Sequence, residues 1–122
     1  MENNPLAQYQ NQQMKELQGR ELESAVLLRS AERLTACKER CGDDDYEMRL
    51  LDALQKNQKI WAILQADIEK NVNGLEEDLR GNLLSLIRFI DRRTYELMAD
   101  SRPDKLEILI SINRNIAAGL AA

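Results

Sequence analysis

The chain has 122 residues and a mass of 14.0 kDa, with 17 basic against 21 acidic side chains, a net charge of -4 and a pI near 4.9. With 43% hydrophobic and 31% charged residues but only 5 Gly and 2 Pro, the composition excludes disordered, collagen-like and multi-domain chains and suits one hydrophobic core. Aromatic residues make up only 4%, and the prevalence of Leu, Ile, Ala, Glu, Arg, Gln and Asn favours helix over sheet, so the expected fold is all-α.

The charge pattern excludes further classes. A phosphate-binding surface needs clustered Lys and Arg, whereas every segment here mixes both signs, so direct nucleic-acid binding is not expected. Nor is membrane binding expected, because no run approaches the roughly 18 apolar residues of a transmembrane helix. Met1-Glu2-Asn3-Asn4 lacks the basic and apolar regions of a signal peptide, which points to the cytoplasm. Histidine is absent, which removes His-based triads, His metal sites and most general-base chemistry, so a non-enzymatic protein without cofactor or metal is expected. Cys37 and Cys41 are the only thiols, too few for a zinc site, and read as reduced thiols on a helix.

In chain order, residues 1–18 form an arm rich in Asn and Gln. Asn4-Pro5 reads as an N-cap with proline at the first helical position, but apolar content is limited to Leu6, Tyr9, Met14 and Leu17, and Gly19 is placed to bend or break the helix. The bundle domain is expected over 19–122. Its first stripe is Leu27, Ala31, Leu34 and Cys41, with Leu22, Val26 and Leu28 widening the buried face. Gly42 supplies a stop, and Asp43, Asp44 and Asp45 supply an N-cap and negative charge for the next helix; three consecutive Asp do not alternate ligands as a calcium loop requires.

The second helix carries the clearest signal: Tyr46, Leu50, Leu54, Asn57, Trp61, Leu64, Ile68 and Val72 advance by three or four residues and share one face. Asn71, Asn73 and Gly74 break it. Leu79, Leu83, Leu86, Ile90, Thr94 and Leu97 draw a third stripe, with Leu84 and Phe89 well away from it. Ser101-Arg102-Pro103-Asp104 has the spacing of a capping box. Leu106, Leu109, Ile110, Asn113, Ile116, Ala117 and Leu120 then share a broad last face, while Ile108 and Ile112 point elsewhere. Four helices with short loops predict an up-down helical bundle.

Three groups of residues invite a functional reading. Asn57 and Asn113 lie inside apolar stripes and must find hydrogen bonds, as register-setting contacts between helices or to a partner. Trp61 is expected to anchor the core. Leu84, Phe89, Ile108 and Ile112 fall outside the stripes and are candidates for a partner-binding surface that receives an amphipathic helix, unless a fifth element such as residues 5–17 covers them. The acidic pairs Glu76-Glu77 and Asp43-Asp44 sit at helix starts, where negative charge is stabilised and nothing raises a pKa for catalysis.

Ala53-Leu54 with Asn57 and Trp61, then Asp67, Leu79-Arg80, Ser85-Leu86, Leu109-Ile110, Ile112-Asn113-Arg114 and Gly119-Leu120 form a spaced signature. With Arg20-Glu21-Leu22-Glu23 at the first-helix entry, it resembles the flagellar biosynthesis regulator FlaF family of alphaproteobacteria over about residues 20 to 120. Leu75-Glu76 departs from the proline the family often places after that leucine, and Cys37 to Asp45 matches nothing characteristic. The resemblance implies a small cytoplasmic protein that acts on flagellin, together with a second regulator, FlbT, in flagellin production and export. It marks Asn57, Trp61, Asp67, Arg80, Asn113 and Arg114 as motif residues, read here as structural. Two alternatives are action on flagellin mRNA through a partner such as FlbT, and an adaptor that never touches flagellin.

Overall fold

The computed structural model describes residues 5–72 and 74–122. The expected cap at Asn4 lies outside them, as do Asn73 and the side chains of Tyr9 and Leu17. The elements are α1 (Pro5–Glu39), α2 (Tyr46–Lys70), α3 (Glu77–Ala99), a 3-10 turn (Pro103–Leu106) and α4 (Glu107–Ala121). No strand occurs among the described residues, and the fold is the expected all-α bundle.

Antiparallel packing follows from which residues meet. Ser24 and Lys38 of α1 bond to Ala117 and Glu107 of α4, so these two helices run in opposite directions. Tyr46, at the start of α2, donates to the Ser101 carbonyl just after α3, and Arg80, early in α3, donates to the Ile68 carbonyl near the end of α2. α1 packs mainly on α4, α2 and the 3-10 turn, and α3 packs on α2. Among the described residues, α1 is not packed over α3 as a covering fifth element.

The core holds Leu27, Ala31, Leu34, Cys37, Tyr46, Leu50, Ala53, Leu54, Trp61 and Leu64 from the first two helices. From the second half it holds Ile87, Ile90, Leu97, Leu106, Leu109, Ile110, Ile112 and Ala117. Several expectations are corrected here. α1 runs unbroken through Gly19, where a glycine in a long helix costs only about 1 kcal/mol against alanine. Leu22, Val26 and Leu28 are exposed, because the buried strip of α1 is narrow: Ser24, Leu27, Ser30, Ala31, Leu34 and Cys37. Cys37 takes the place given to Cys41, which is exposed beyond the helix end.

Neither expected cap forms by a side-chain hydrogen bond. Asp45 precedes α2 without bonding its first amides; Asp43 instead pairs with Arg40 at 3.0 Å and Arg49 at 3.7 Å, and Asp45 lies 3.6 Å from Arg49. Those pairs tie the α1–α2 turn together through charge. Ser101 and Asp104 make no capping box, since the 3-10 turn starts after Arg102 and Ser101 serves through its carbonyl, which accepts the Tyr46 hydroxyl at 2.7 Å.

The other end of α2 is closed more thoroughly. Asn71 adopts a left-handed conformation (φ 52°), its backbone N–H returns to the Ile68 carbonyl, and its side-chain oxygen accepts the Leu75 N–H at 2.7 Å. Asparagine tolerates that conformation and supplies the acceptor that turns the chain. Arg80 donates from Nε to the Ile68 carbonyl at 3.0 Å, which also accepts the Asn71 N–H, and from a terminal nitrogen to the Glu69 carbonyl at 2.9 Å, so it binds two carbonyls of the last turn of α2.

At the centre, three helices meet in a buried polar cluster. The Asn57 side-chain oxygen accepts both Ser30 Oγ and Asn113 Nδ2 at 2.8 Å, while Trp61 Nε1 donates to Asn113 Oδ1 at 2.9 Å. Asn113 Nδ2 also reaches the Leu27 carbonyl at 3.4 Å. Asn57 Nδ2 finds no acceptor among the described residues. Trp61→Phe keeps most of the ring volume but removes the donor to Asn113, so it is expected to cost about 1 to 3 kcal/mol in urea unfolding with an unchanged m-value. Arg80→Ala is expected to lower the urea midpoint less, by about 1 kcal/mol equivalent, because its carbonyls regain water at the helix end.

Candidate partner-binding groove

The stripes do not close along their whole length. At the end of the bundle where α2 finishes, α3 starts and α4 finishes, they open around a groove of about 530 Å³. Its floor and apolar walls come from Trp61, Leu64 and Ile68 of α2, Leu79 and Leu83 of α3, Ile116 and Leu120 of α4, and Leu75 from the connector. The α1 side contributes Gly19, Arg20 and Glu23, and α2 adds Asp67.

The opening has a local cause. The buried positions of α3 are Ile87, Ile90, Thr94 and Leu97, all in its latter part, so its first three turns are not drawn into the core. Leu79 is 48% exposed and Val72 63% exposed, although the periodicity assigns both to buried faces. α4 has only 15 residues and ends beside α1 near Gly19, as the Ser24–Ala117 pairing requires. Gly19 and Gly119 line the groove, and a Cβ built at either would meet nothing within 4 Å.

Charge sits along one edge. Burial raises the Glu23 carboxyl above its ordinary value of 4.5, the Asp67 carboxylate raises it further, and Arg20 works against both. Neither Glu23 nor Asp67 forms an ion pair among the described residues. Two carboxylates thus line an apolar groove near enough for one to act on the other, with a single guanidinium in the same lining.

The surface expected from Leu84, Phe89, Ile108 and Ile112 is not assembled. Ile112 is 8% exposed and belongs to the core, where α4 buries it together with Leu109, Ile110, Asn113 and Ala117. Phe89 is half-buried against the core and its ring is covered by the Arg93 guanidinium, 5.3 Å from the centroid. Leu84 is half-buried, and only Ile108 is exposed.

Among the motif residues, Asn57, Trp61 and Asn113 form the central cluster and Arg80 closes α2. Arg114 is exposed and donates to Thr35 Oγ1 at 3.3 Å, while Asp67 lines the groove, as Trp61 does, and its carboxylate forms no ion pair among the described residues. Sequence reasoning missed Glu23, Gly19 and Gly119 as groove residues. The signal available was the run of stripe positions Ile68, Val72, Leu79 and Leu83 flanking a chain reversal, where no helix remains to cover them.

Among the described residues no group of three or more acidic or Cys side chains is placed to hold a metal ion, and no helix is long and apolar enough to cross a membrane. The described residues thus form an all-α bundle with an apolar groove open at one end. The family model described as flagellar protein FlaF matches residues 5–120, nearly the whole chain, and the protein belongs to this family. No curated protein and no solved structure matches the chain. Family membership supports a regulatory role connected with the flagellum.

An acid whose folded-state pKa is raised releases its proton later than the unfolded chain does, so stability falls as pH rises from below the ordinary value through the folded one. Glu23→Gln is therefore expected to raise the thermal midpoint at neutral pH and to lose that advantage in acid below the ordinary value of 4.5, as melting curves across this range would read.

Proposed function

We propose that the protein acts without catalysis by binding flagellin, burying an amphipathic flagellin helix so that the subunit does not assemble prematurely and is supported in synthesis and export. The observation that carries this reading is the open groove, where apolar side chains of α2, α3 and α4 converge with no segment of the described chain covering them. Family membership, which ties the protein to the flagellum, supports the choice of a flagellar protein as the partner class. Burial of apolar area drives such binding at about 25 cal/mol per Å², before the entropic costs of association.

The acidic balance of the chain, net charge -4, weighs against direct contact with flagellin mRNA. A second regulator of the FlbT kind joins the complex in this reading as a partner of the flagellin-bound form. Titration by calorimetry against purified flagellin and against flagellin leader RNA, each at two salt concentrations, tests the proposal. Saturable binding to flagellin with a negative heat-capacity change is expected, that being the mark of apolar burial. Salt-sensitive RNA binding without flagellin binding would overturn it.

A further inference from the structure

The groove is more selective than an apolar slot. Its wall on α2 runs from Trp61 to Ile68, a span of about 10 Å in helical rise, enough to flank roughly two turns of a visiting helix. Gly19 on α1 and Gly119 on α4 both line it, and each leaves room where a side chain would otherwise stand. Along the edge between α1 and α2, Glu23 and Asp67 carry two negative charges against the one positive charge of Arg20. Neither carboxylate has an ion-pair partner among the described residues.

This charge imbalance defines the occupant. A neutral or acidic helix would bury the two carboxylates further without compensating them, which costs free energy, whereas a cation placed between them relieves their repulsion and gains charge-assisted hydrogen bonds. We infer that the groove receives an amphipathic helix that sets a stripe of two or three large apolar residues onto Trp61, Leu64, Ile68, Leu79, Leu83 and Leu120, with a Lys or Arg at the stripe's edge seated between Glu23 and Asp67. The inference rests on the reading of the protein as a flagellin binder and names the surface and the recognition chemistry that reading leaves open.

The raised Glu23 carboxyl agrees with this, since burial and the neighbouring Asp67 already disfavour its charge before a partner arrives. The conflict is a local instability of the free protein that a basic residue would remove. Specificity follows from the same arrangement: a helix with the same apolar stripe but an acidic flank is rejected.

Gly119 supplies a test that separates binding from folding. Gly119→Leu projects a side chain into open space in the groove while replacing a poor helix former with a good one, so the fold is retained and the site is filled. Three variants are compared with the wild-type chain by calorimetry against full-length flagellin: Gly119→Leu, the double variant Glu23→Gln/Asp67→Asn, and Ile108→Ala at the opposite end of α4. Gly119→Leu is expected to keep or raise the thermal midpoint and to weaken binding by about tenfold or more. The double variant is expected to weaken binding by about tenfold and to flatten its salt dependence, while Ile108→Ala binds as the wild type does.

Unchanged affinity in Gly119→Leu would overturn the groove as the site while leaving flagellin binding in place. Unchanged affinity in the double variant would overturn the basic residue of the occupant. A wild-type chain that binds no flagellin would overturn the partner reading itself, and this inference with it.

Discussion

Ser30, Asn57, Trp61 and Asn113 bring α1, α2 and α4 to one buried point, and the positions of these helices depend on that meeting. Three hydrogen bonds of 2.8, 2.8 and 2.9 Å join side chains that are all buried in otherwise apolar stripes. A purely apolar interface would be at least as stabilising, because each amide gives up water to enter the core and Asn57 Nδ2 finds no acceptor among the described residues. What the cluster adds is alignment. Sliding α4 by one turn along α1 would strand Asn113 among leucines, so only one register satisfies it.

That register decides where the apolar stripes end. With Asn113 fixed beside Leu27 and Asn57, the 15-residue α4 ends near Gly19, and α1 continues past it for several turns with Met14 exposed. α2 ends at the same level, closed by Asn71 and Arg80. The first turns of α3 therefore lack a fourth neighbour, and Leu79 and Leu83 line an opening instead of a core. The groove is a geometric consequence of helices of unequal length held in one register.

Surplus apolar surface was legible in the sequence, but its location was not. Side chains off the stripes, such as Phe89 and Ile112, are the ones periodicity marks as spare. Yet Phe89 is covered by Arg93, and Ile112 is enclosed by the packing of α4. The spare surface consists of residues on the stripes near the ends of α2 and α4, where the first turns of α3 are left uncovered. Periodicity records which way a residue faces within its own helix; it holds no information about where the neighbouring helix stops.

From the order of residues alone came the helical class, the four segments, the buried faces of α2 and α4, and the need for Asn57 and Asn113 to find partners, because these follow from spacing and from the cost of an unpaired amide. The motif residues, spread along the chain, also carried the family. Tertiary structure alone decided that Asn57, Trp61 and Asn113 are one another's neighbours and that Glu23 and Asp67, from two different helices, line one groove. It also decided that Gly19 and Gly119 open the same groove. Those facts depend on the register between helices far apart in sequence, which is set by packing the whole core at once rather than by any local run of residues.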